Sequence, residues 1–113
     1  MNELNIYEQY FAAGGVRNGV QRRAAKVMLI AATGEGRVRY EAAVSFFPHE
    51  DDEDFAVSYD AYFSKTLYDA AGRRSKRRER ELYEELRGHV DGLARAEGFE
   101  VLWDRPLRDA RFA

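Results

Sequence analysis

The sequence predicts a small α+β domain in which an antiparallel sheet of about four strands carries one long helix across one face. Segments that alternate apolar and polar residues in the middle of the chain are typical of half-buried strands. A stripe of leucines at helical spacing near the end of the chain is typical of an amphipathic helix. The predicted element order is α-β-β-β-α-β, in a single domain that covers residues 1–113.

The first half of the chain predicts a short helix and then a hairpin. Leu4, Tyr7 and Phe11 have the spacing of one helix face, and Gly14-Gly15 can end that helix in the left-handed conformation. The apolar run 27–32 then predicts a strand. After a turn at 33–36, residues 38–46 alternate as a second strand, so the two segments form a hairpin.

The second half predicts a third strand, the long helix and a final strand. Residues 55–63 alternate as a strand, although Tyr59, Tyr62, Phe63 and Leu67 also fit a helix, and this alternative stays open. The helix prediction covers 75–97, with Ser75 as N-cap and Gly98 just beyond its end. Its apolar stripe consists of Leu82, Leu86, Val90 and Leu93. Residues 99–103 predict the last strand, and 107–113 receive no assignment.

Composition indicates a folded protein of the cytoplasm. The 113 residues are 45% hydrophobic and include no cysteine, which excludes disulfides and thiolate metal sites. No secretory pattern opens the sequence, and its longest apolar run is far too short to span a bilayer. We therefore expect a cytoplasmic protein without a membrane partner.

Catalytic residues are not predicted. The two histidines, His49 and His89, fit a solvated loop and the edge of the apolar stripe, respectively. No serine lies in a nucleophile elbow, and no glycine-rich phosphate loop precedes a helix. The sequence therefore predicts a protein that is not an enzyme, with no metal site and no cofactor.

Charge is strongly segregated, although the net charge is only −2. Five consecutive acids form a predicted acidic surface at Glu50, Asp51, Asp52, Glu53 and Asp54.

The basic segment, residues 73–80, holds six basic side chains against the single Glu79. Cations are unfavourable at a helix N-terminus, so this local inconsistency indicates a binding role. The predicted partner- or phosphate-binding residues are Arg73, Arg74, Lys76, Arg77, Arg78 and Arg80. The alternative is a solvated face neutralised by Arg77–Glu81 and Arg80–Glu84 pairs.

The basic segment resembles the start of the second helix in double-stranded-RNA-binding domains. There, a Ser-Lys-Lys-x-Ala-Lys signature grips phosphates, and Ser75-Lys76-Arg77-Arg78-Glu79-Arg80 follows Gly72 in the same way. The resemblance implies that Lys76, Arg77 and Arg80 contact phosphates.

A small-residue face lies further along the predicted helix at Gly88, Gly92 and Ala96. An interior glycine costs up to about 1 kcal/mol relative to alanine, so two of them suggest close contact with another backbone. That backbone belongs to a partner or to a second copy in a homodimer. The alternatives are tolerance at an exposed position and contact with residues 107–113.

These observations favour a non-catalytic interaction protein that docks through its basic helix on a protein that handles nucleic acid. In size and charge layout the chain resembles the accessory proteins of phages and mobile elements, which include inhibitors of bacterial defence such as anti-CRISPR proteins. The alternative is direct binding of the duplex RNA or DNA backbone by the same residues.

Overall fold

A computed structural model describes residues 2–17, 19–48, 61–108 and 110–112, which form eight strands and one helix. In chain order these are β1 Asn2–Gly14, β2 Val16–Arg17, β3 Val20–Gln21, β4 Ala24–Gly34, β5 Arg37–Phe47, β6 Ala61–Ala71, α1 Lys76–Ala96, β7 Glu100–Pro106 and β8 Arg111–Phe112.

Six of the strands form one antiparallel sheet. Its order is β6-β5-β4-β1-β7, and β8 also pairs with β1 beside β7. The two-residue strands β2 and β3 form a separate hairpin. Strand β1 is therefore an interior strand, with β4 on one side and β7 and β8 on the other.

The predicted first helix and the predicted four-stranded sheet are both wrong. Residues 2–14 form β1 instead, and the described residues form a six-stranded sheet with one helix. Between Asn5 and Tyr7 the pairing with β4 shifts at a β-bulge, which places the extra residue Ile6 in the same core as Tyr7. A bulge interrupts the period of two, so the apolar residues of β1 have a spacing that imitates a helix.

The predicted β4–β5 hairpin is confirmed. The two strands pair from Ala24 with Phe47 to Gly34 with Arg37. Only Glu35 and Gly36 lie between them, with φ of 54° and 72°. Two central residues with positive φ give the type I′ turn, whose twist matches that of the strands it joins.

The third predicted strand coincides only in part with β6. Its N-terminal residues 55–60 lie outside the described residues, whereas Ala61 and Phe63 pair with Phe46 and Val44 of β5. Strand β6 continues to Ala71, well beyond the predicted end, and the pairing shifts at Tyr40 and Glu41 of β5. The open alternative of a helix through residues 61–67 is wrong.

Helix α1 confirms the prediction for residues 75–97, including both ends. The Ser75 side chain accepts a hydrogen bond from the backbone N–H of Arg78 at 3.2 Å, as expected of an N-cap. Gly98, with φ of 80°, and Phe99 donate backbone hydrogen bonds to Arg95 and Ala94. This pair of bonds is the Schellman motif, which a glycine at this position favours.

The core lies between α1 and one face of the sheet. Leu82, Leu86 and Val90 are buried against β-strand residues, and Phe46 stacks on Phe99 with ring centroids 4.5 Å apart. Because α1 connects β6 at one edge to β7 near the other, it crosses the sheet and contacts β4, β5, β6 and β7.

Gly15 allows the chain after β1 to approach the end of α1 closely. Its φ is 124°, in a region that favours glycine. A Cβ atom at this position would lie 2.5 Å from the Phe99 ring and 2.8 Å from the Gly98 carbonyl oxygen. The neighbouring Gly14 has open space where its Cβ would be and no such φ.

We predict that Gly15→Ala destabilises the protein by about 1–3 kcal/mol, because both backbone strain and overpacking oppose the methyl group. Gly14→Ala is the matched control and should change the free energy of unfolding by less than about 0.5 kcal/mol. Urea unfolding of both variants measures the difference. Equal stability of the two variants would contradict the close approach.

Candidate functional site

The first turn of α1 is fixed to the sheet by a buried carboxylate. Glu79 is only 7% exposed. Its Oε2 accepts a hydrogen bond from the Tyr40 hydroxyl of β5 at 2.7 Å. Arg74 donates from Nε and Nη2 to the two carboxylate oxygens, at 2.9 Å each. The Tyr40 oxygen in turn accepts the backbone N–H of Ser75 at 3.2 Å. The helix start is thus tied to β5, an interior strand of the sheet.

The protonation states of Glu79, Tyr40 and Arg74 follow from their burial and from the hydrogen bonds between them. Burial alone would raise the pKa of Glu79, but the hydrogen bonds from Arg74 and Tyr40, together with the charges of Arg74 and Lys76, outweigh it and the pKa is lowered. Burial, together with the hydrogen bond to Glu79, raises the pKa of Tyr40, so the phenol remains a donor. The hydrogen bonds to Glu79 raise the pKa of Arg74. At neutral pH the network therefore contains a carboxylate, a guanidinium and a neutral phenol.

Two of the six predicted binding residues have structural contacts inside the chain. Arg74 holds Glu79 as described. The Arg78 guanidinium lies over the Tyr68 ring of β6, 4.5 Å from its centroid, and 3.8 Å from Glu81. Both side chains retain some exposure, but their first partners are residues of this protein.

The other four basic residues are more accessible. Arg77 pairs with Glu81 at 3.3 Å while its side chain remains 90% exposed, which confirms one of the two ion pairs expected of a solvated face. Arg73, Lys76 and Arg80 are exposed and form no ion pair within the part of the chain that the structure describes. The expected Arg80–Glu84 pair is therefore not formed. We call Arg73, Lys76 and Arg80 the free basic group.

The remaining predicted site residues do not join this group. The acidic surface predicted at 50–54 lies outside the described residues. Gly88, Gly92 and Ala96 are exposed on the solvent side of α1. Apart from the adjacent residues and the nearby backbone of α1 itself, no described atom lies within 4 Å of where a Cβ on Gly88 or Gly92 would be. Their role as a contact face therefore stays a prediction.

An aromatic surface beside α1 was missed by the sequence analysis. Tyr83 of α1 lies at 4.9 Å from Tyr7 of β1 and 5.6 Å from Phe112 of β8, measured between ring centroids. One turn further on, the Arg87 guanidinium lies 5.2 Å from the Trp103 ring of β7. In the sequence, the four-residue spacing of Tyr83 and Arg87 indicates that both side chains lie on one side of the helix. The aromatic residues that they contact come from three separate strands, which the spacing does not indicate.

A cleft of about 310 Å³ separates Tyr83 from Trp103. Buried Phe11 and Leu86 line it, and Glu84 and Arg87 lie at its rim. Burial and the neighbouring Tyr83 raise the pKa of Tyr7 to about 12, so this phenol is protonated at neutral pH. The volume is at the lower end of the range for small-molecule sites. The cleft therefore suits one planar or apolar group.

Among the described residues, no three His, Asp or Glu side chains are placed to hold a metal ion. Nor does the described part of the chain contain a helix with the length and apolar character needed to cross a membrane.

No family model, curated protein or solved structure matches this chain. A functional proposal therefore depends on the chemistry of its own residues.

We predict that Glu79→Gln lowers the free energy of unfolding at neutral pH by about 1–3 kcal/mol, because the amide leaves a buried donor facing Arg74 or Tyr40. The pKa of Glu79 is lowered by folding, so its contribution is present above the unfolded value of 4.5 and is lost as pH falls through the folded value. Urea unfolding at neutral pH and at about pH 3 should show the two proteins converging in acid.

Arg77→Gln is the control for this experiment, since its i,i+4 ion pair is solvent-exposed. We expect a change of at most about 0.5 kcal/mol at either pH. A Glu79→Gln variant as stable as the wild type at neutral pH would show that the carboxylate does not hold the helix start.

We predict that Gly88→Ala and Gly92→Ala each stabilise the isolated chain by up to about 1 kcal/mol, because the methyl groups meet open space on a helix. Thermal unfolding measures this effect, and light scattering reports the oligomeric state of the same samples. Loss of a wild-type dimer in the double variant would identify a close-contact interface. If the wild type and the double variant are both monomers, Gly88 and Gly92 belong to an exposed face that makes no contact with a second copy.

Proposed function

We propose that this protein is a non-catalytic interaction protein that docks on a nucleic-acid-handling protein through the free basic group at the start of α1. The proposal rests on the placement of Arg73, Lys76 and Arg80. These side chains are exposed and form no ion pair within the described residues, and they lie beside a helix start that is fixed to the sheet. In this proposal the protein is an accessory or inhibitor of phage or mobile-element type, and it acts in the cytoplasm.

A fixed helix start supports this role because pre-organised side chains lose less entropy on binding. Arg74 and Tyr40 hold the Glu79 carboxylate in the first turn, and the Ser75 cap satisfies a backbone N–H of the same turn. The free basic group therefore projects from a defined backbone. Exposed cations on such a scaffold steer an acidic partner and set its orientation.

The acids that follow favour a protein partner over a bare duplex. Glu81, Glu84 and Glu85 are exposed on the next turn of α1. A duplex backbone that covers this solvent-exposed face of α1 would meet these carboxylates, and like charges oppose each other there. A protein surface can place acids against the free basic group and bases against these glutamates.

Direct binding of the duplex RNA or DNA backbone is the second candidate. It is favoured by the resemblance of 75–80 to the phosphate-gripping segment of double-stranded-RNA-binding domains, and by the exposure of Lys76, Arg77 and Arg80, the residues implied by that resemblance. Such binding depends steeply on salt because phosphate contacts release counterions.

The test compares a triple reversal of the free basic group, Arg73→Glu, Lys76→Glu and Arg80→Glu, with a matched reversal of Arg23, Arg95 and Arg105, which are exposed elsewhere. Cross-linking in extract of the source organism identifies partners, and titration calorimetry with each purified partner measures affinity. We expect the first variant to lose binding by at least about tenfold and the control to retain it.

Anisotropy of labelled duplex RNA and DNA completes the test. The proposal predicts weak association at physiological salt for the wild type. A partner that binds the triple reversal variant as well as the wild type would contradict the proposal. Tight duplex binding that is lost in this variant would instead support the second candidate.

A further inference from the structure

One flank of α1 alternates basic and aromatic side chains. Lys76, Arg80, Tyr83 and Arg87 are separated by four, three and four positions, which places them along one side of a helix. The contacts of three of these side chains also place them on one side of α1. Lys76 lines a cleft with Leu4 of β1, Tyr83 contacts Tyr7 of the same strand, and Arg87 lies over Trp103 of β7. The flank thus faces the side of the sheet formed by β1, β7 and β8.

The aromatic rings of this flank are accessible. Tyr83 is 41% exposed and Phe112 is 64% exposed. Trp103 is half-buried, with its indole N–H donating to Asp91 at 2.8 Å. A patch of exposed rings often marks an interaction site, and here two exposed rings and the half-buried Trp103 lie beside three cations. We call Lys76, Arg80, Tyr83, Arg87, Trp103 and Phe112 the aromatic flank.

We propose that the aromatic flank binds single-stranded nucleic acid. Proteins that bind single strands combine a basic track for phosphates with aromatic rings on which successive bases stack. Lys76, Arg80 and Arg87 supply the cations, and Tyr83 and Phe112 supply exposed rings. The cleft between Tyr83 and Trp103 receives one base, which its volume of about 310 Å³ accommodates.

The neighbouring acids leave this surface positive. Asp91 accepts a hydrogen bond from the neutral Trp103 indole and keeps its charge, whereas Glu8 pairs with Lys26 at 3.0 Å and lies 3.9 Å from Arg111. Glu84 lies at the rim of the cleft without a partner of this kind in the described chain. Three cations therefore face two carboxylates, Glu84 and Asp91, that form no ion pair among the described residues, and the remaining positive charge complements a phosphate backbone.

A single strand fits these features better than a duplex. The bases of a duplex are stacked on one another, so they cannot lie on Tyr83 or enter the cleft, whereas unpaired bases can. This inference goes beyond the proposed function, which concerns the free basic group and a protein partner. Tyr83 and Phe112 belong to the aromatic flank alone, so their substitution tests it separately.

Trp103 provides a direct measurement because it is the single tryptophan of the sequence. The experiment titrates the protein with an oligodeoxythymidine and follows Trp103 fluorescence, together with the anisotropy of a labelled copy of the same oligonucleotide. We expect quenching at low salt and weaker binding as salt rises. Three phosphate contacts predict a slope of about −2 in log K against log salt concentration.

The paired variant Tyr83→Ser, Phe112→Ser should weaken oligonucleotide binding by at least about fivefold, since it removes two stacking surfaces. Tyr62→Ser is the matched control, because Tyr62 is 45% exposed on β6, away from this flank. Circular dichroism checks that both variants are folded. The paired variant leaves the free basic group intact, so partner binding under the proposed function should persist.

Three results would overturn the inference. One is the absence of binding to oligodeoxythymidine, or to its RNA counterpart, at low salt. Another is an equal loss of affinity in Tyr62→Ser and in the paired variant. The third is quenching by polyglutamate with the same affinity and the same dependence on Tyr83 and Phe112, which would make the flank a docking surface for acidic protein segments.

Discussion

The buried carboxylate of Glu79 is the interaction on which the arrangement of this protein depends. It lies where the first turn of α1 meets β5, and it accepts hydrogen bonds from Tyr40 and Arg74. A carboxylate this deeply buried is stable only when its oxygens are satisfied, so the positions of the three residues are mutually dependent. An acid in the first turns of a helix also interacts favourably with the helix dipole.

This constraint divides the basic segment into two parts. Arg74 and Arg78 contact Glu79 and the Tyr68 ring, whereas the free basic group is exposed and forms no ion pair among the described residues, although the charge of Lys76 also lowers the pKa of Glu79. A dense run of basic residues at a helix start is therefore less anomalous than its sequence suggests, because part of it compensates an internal acid. The residues that remain unpaired are the ones available to a partner, and they project from a fixed backbone.

Local patterns in the sequence predicted the elements whose signals are local. The β4–β5 hairpin has a clean alternation and a two-residue turn, and α1 carries its own caps at Ser75 and Gly98. Strand β1 was predicted as a helix because its bulge disrupts the alternation and because its consecutive residues 9–12 are all buried, so that both faces of the strand are covered there. The role of Glu79 and the meeting of Tyr83 with Phe112 depend on residues about 30 to 40 positions apart, which no local pattern indicates.

The most direct test of this account is a double-mutant cycle between Arg74 and Glu79. Urea unfolding of Arg74→Ala, Glu79→Gln and the double variant gives the coupling energy of the two side chains at neutral pH. If the carboxylate holds the helix start as described, the coupling should exceed about 1 kcal/mol, because two charge-assisted hydrogen bonds join partly buried groups. Additive effects within about 0.3 kcal/mol would mean that Arg74 and Glu79 act independently, and the account would be contradicted.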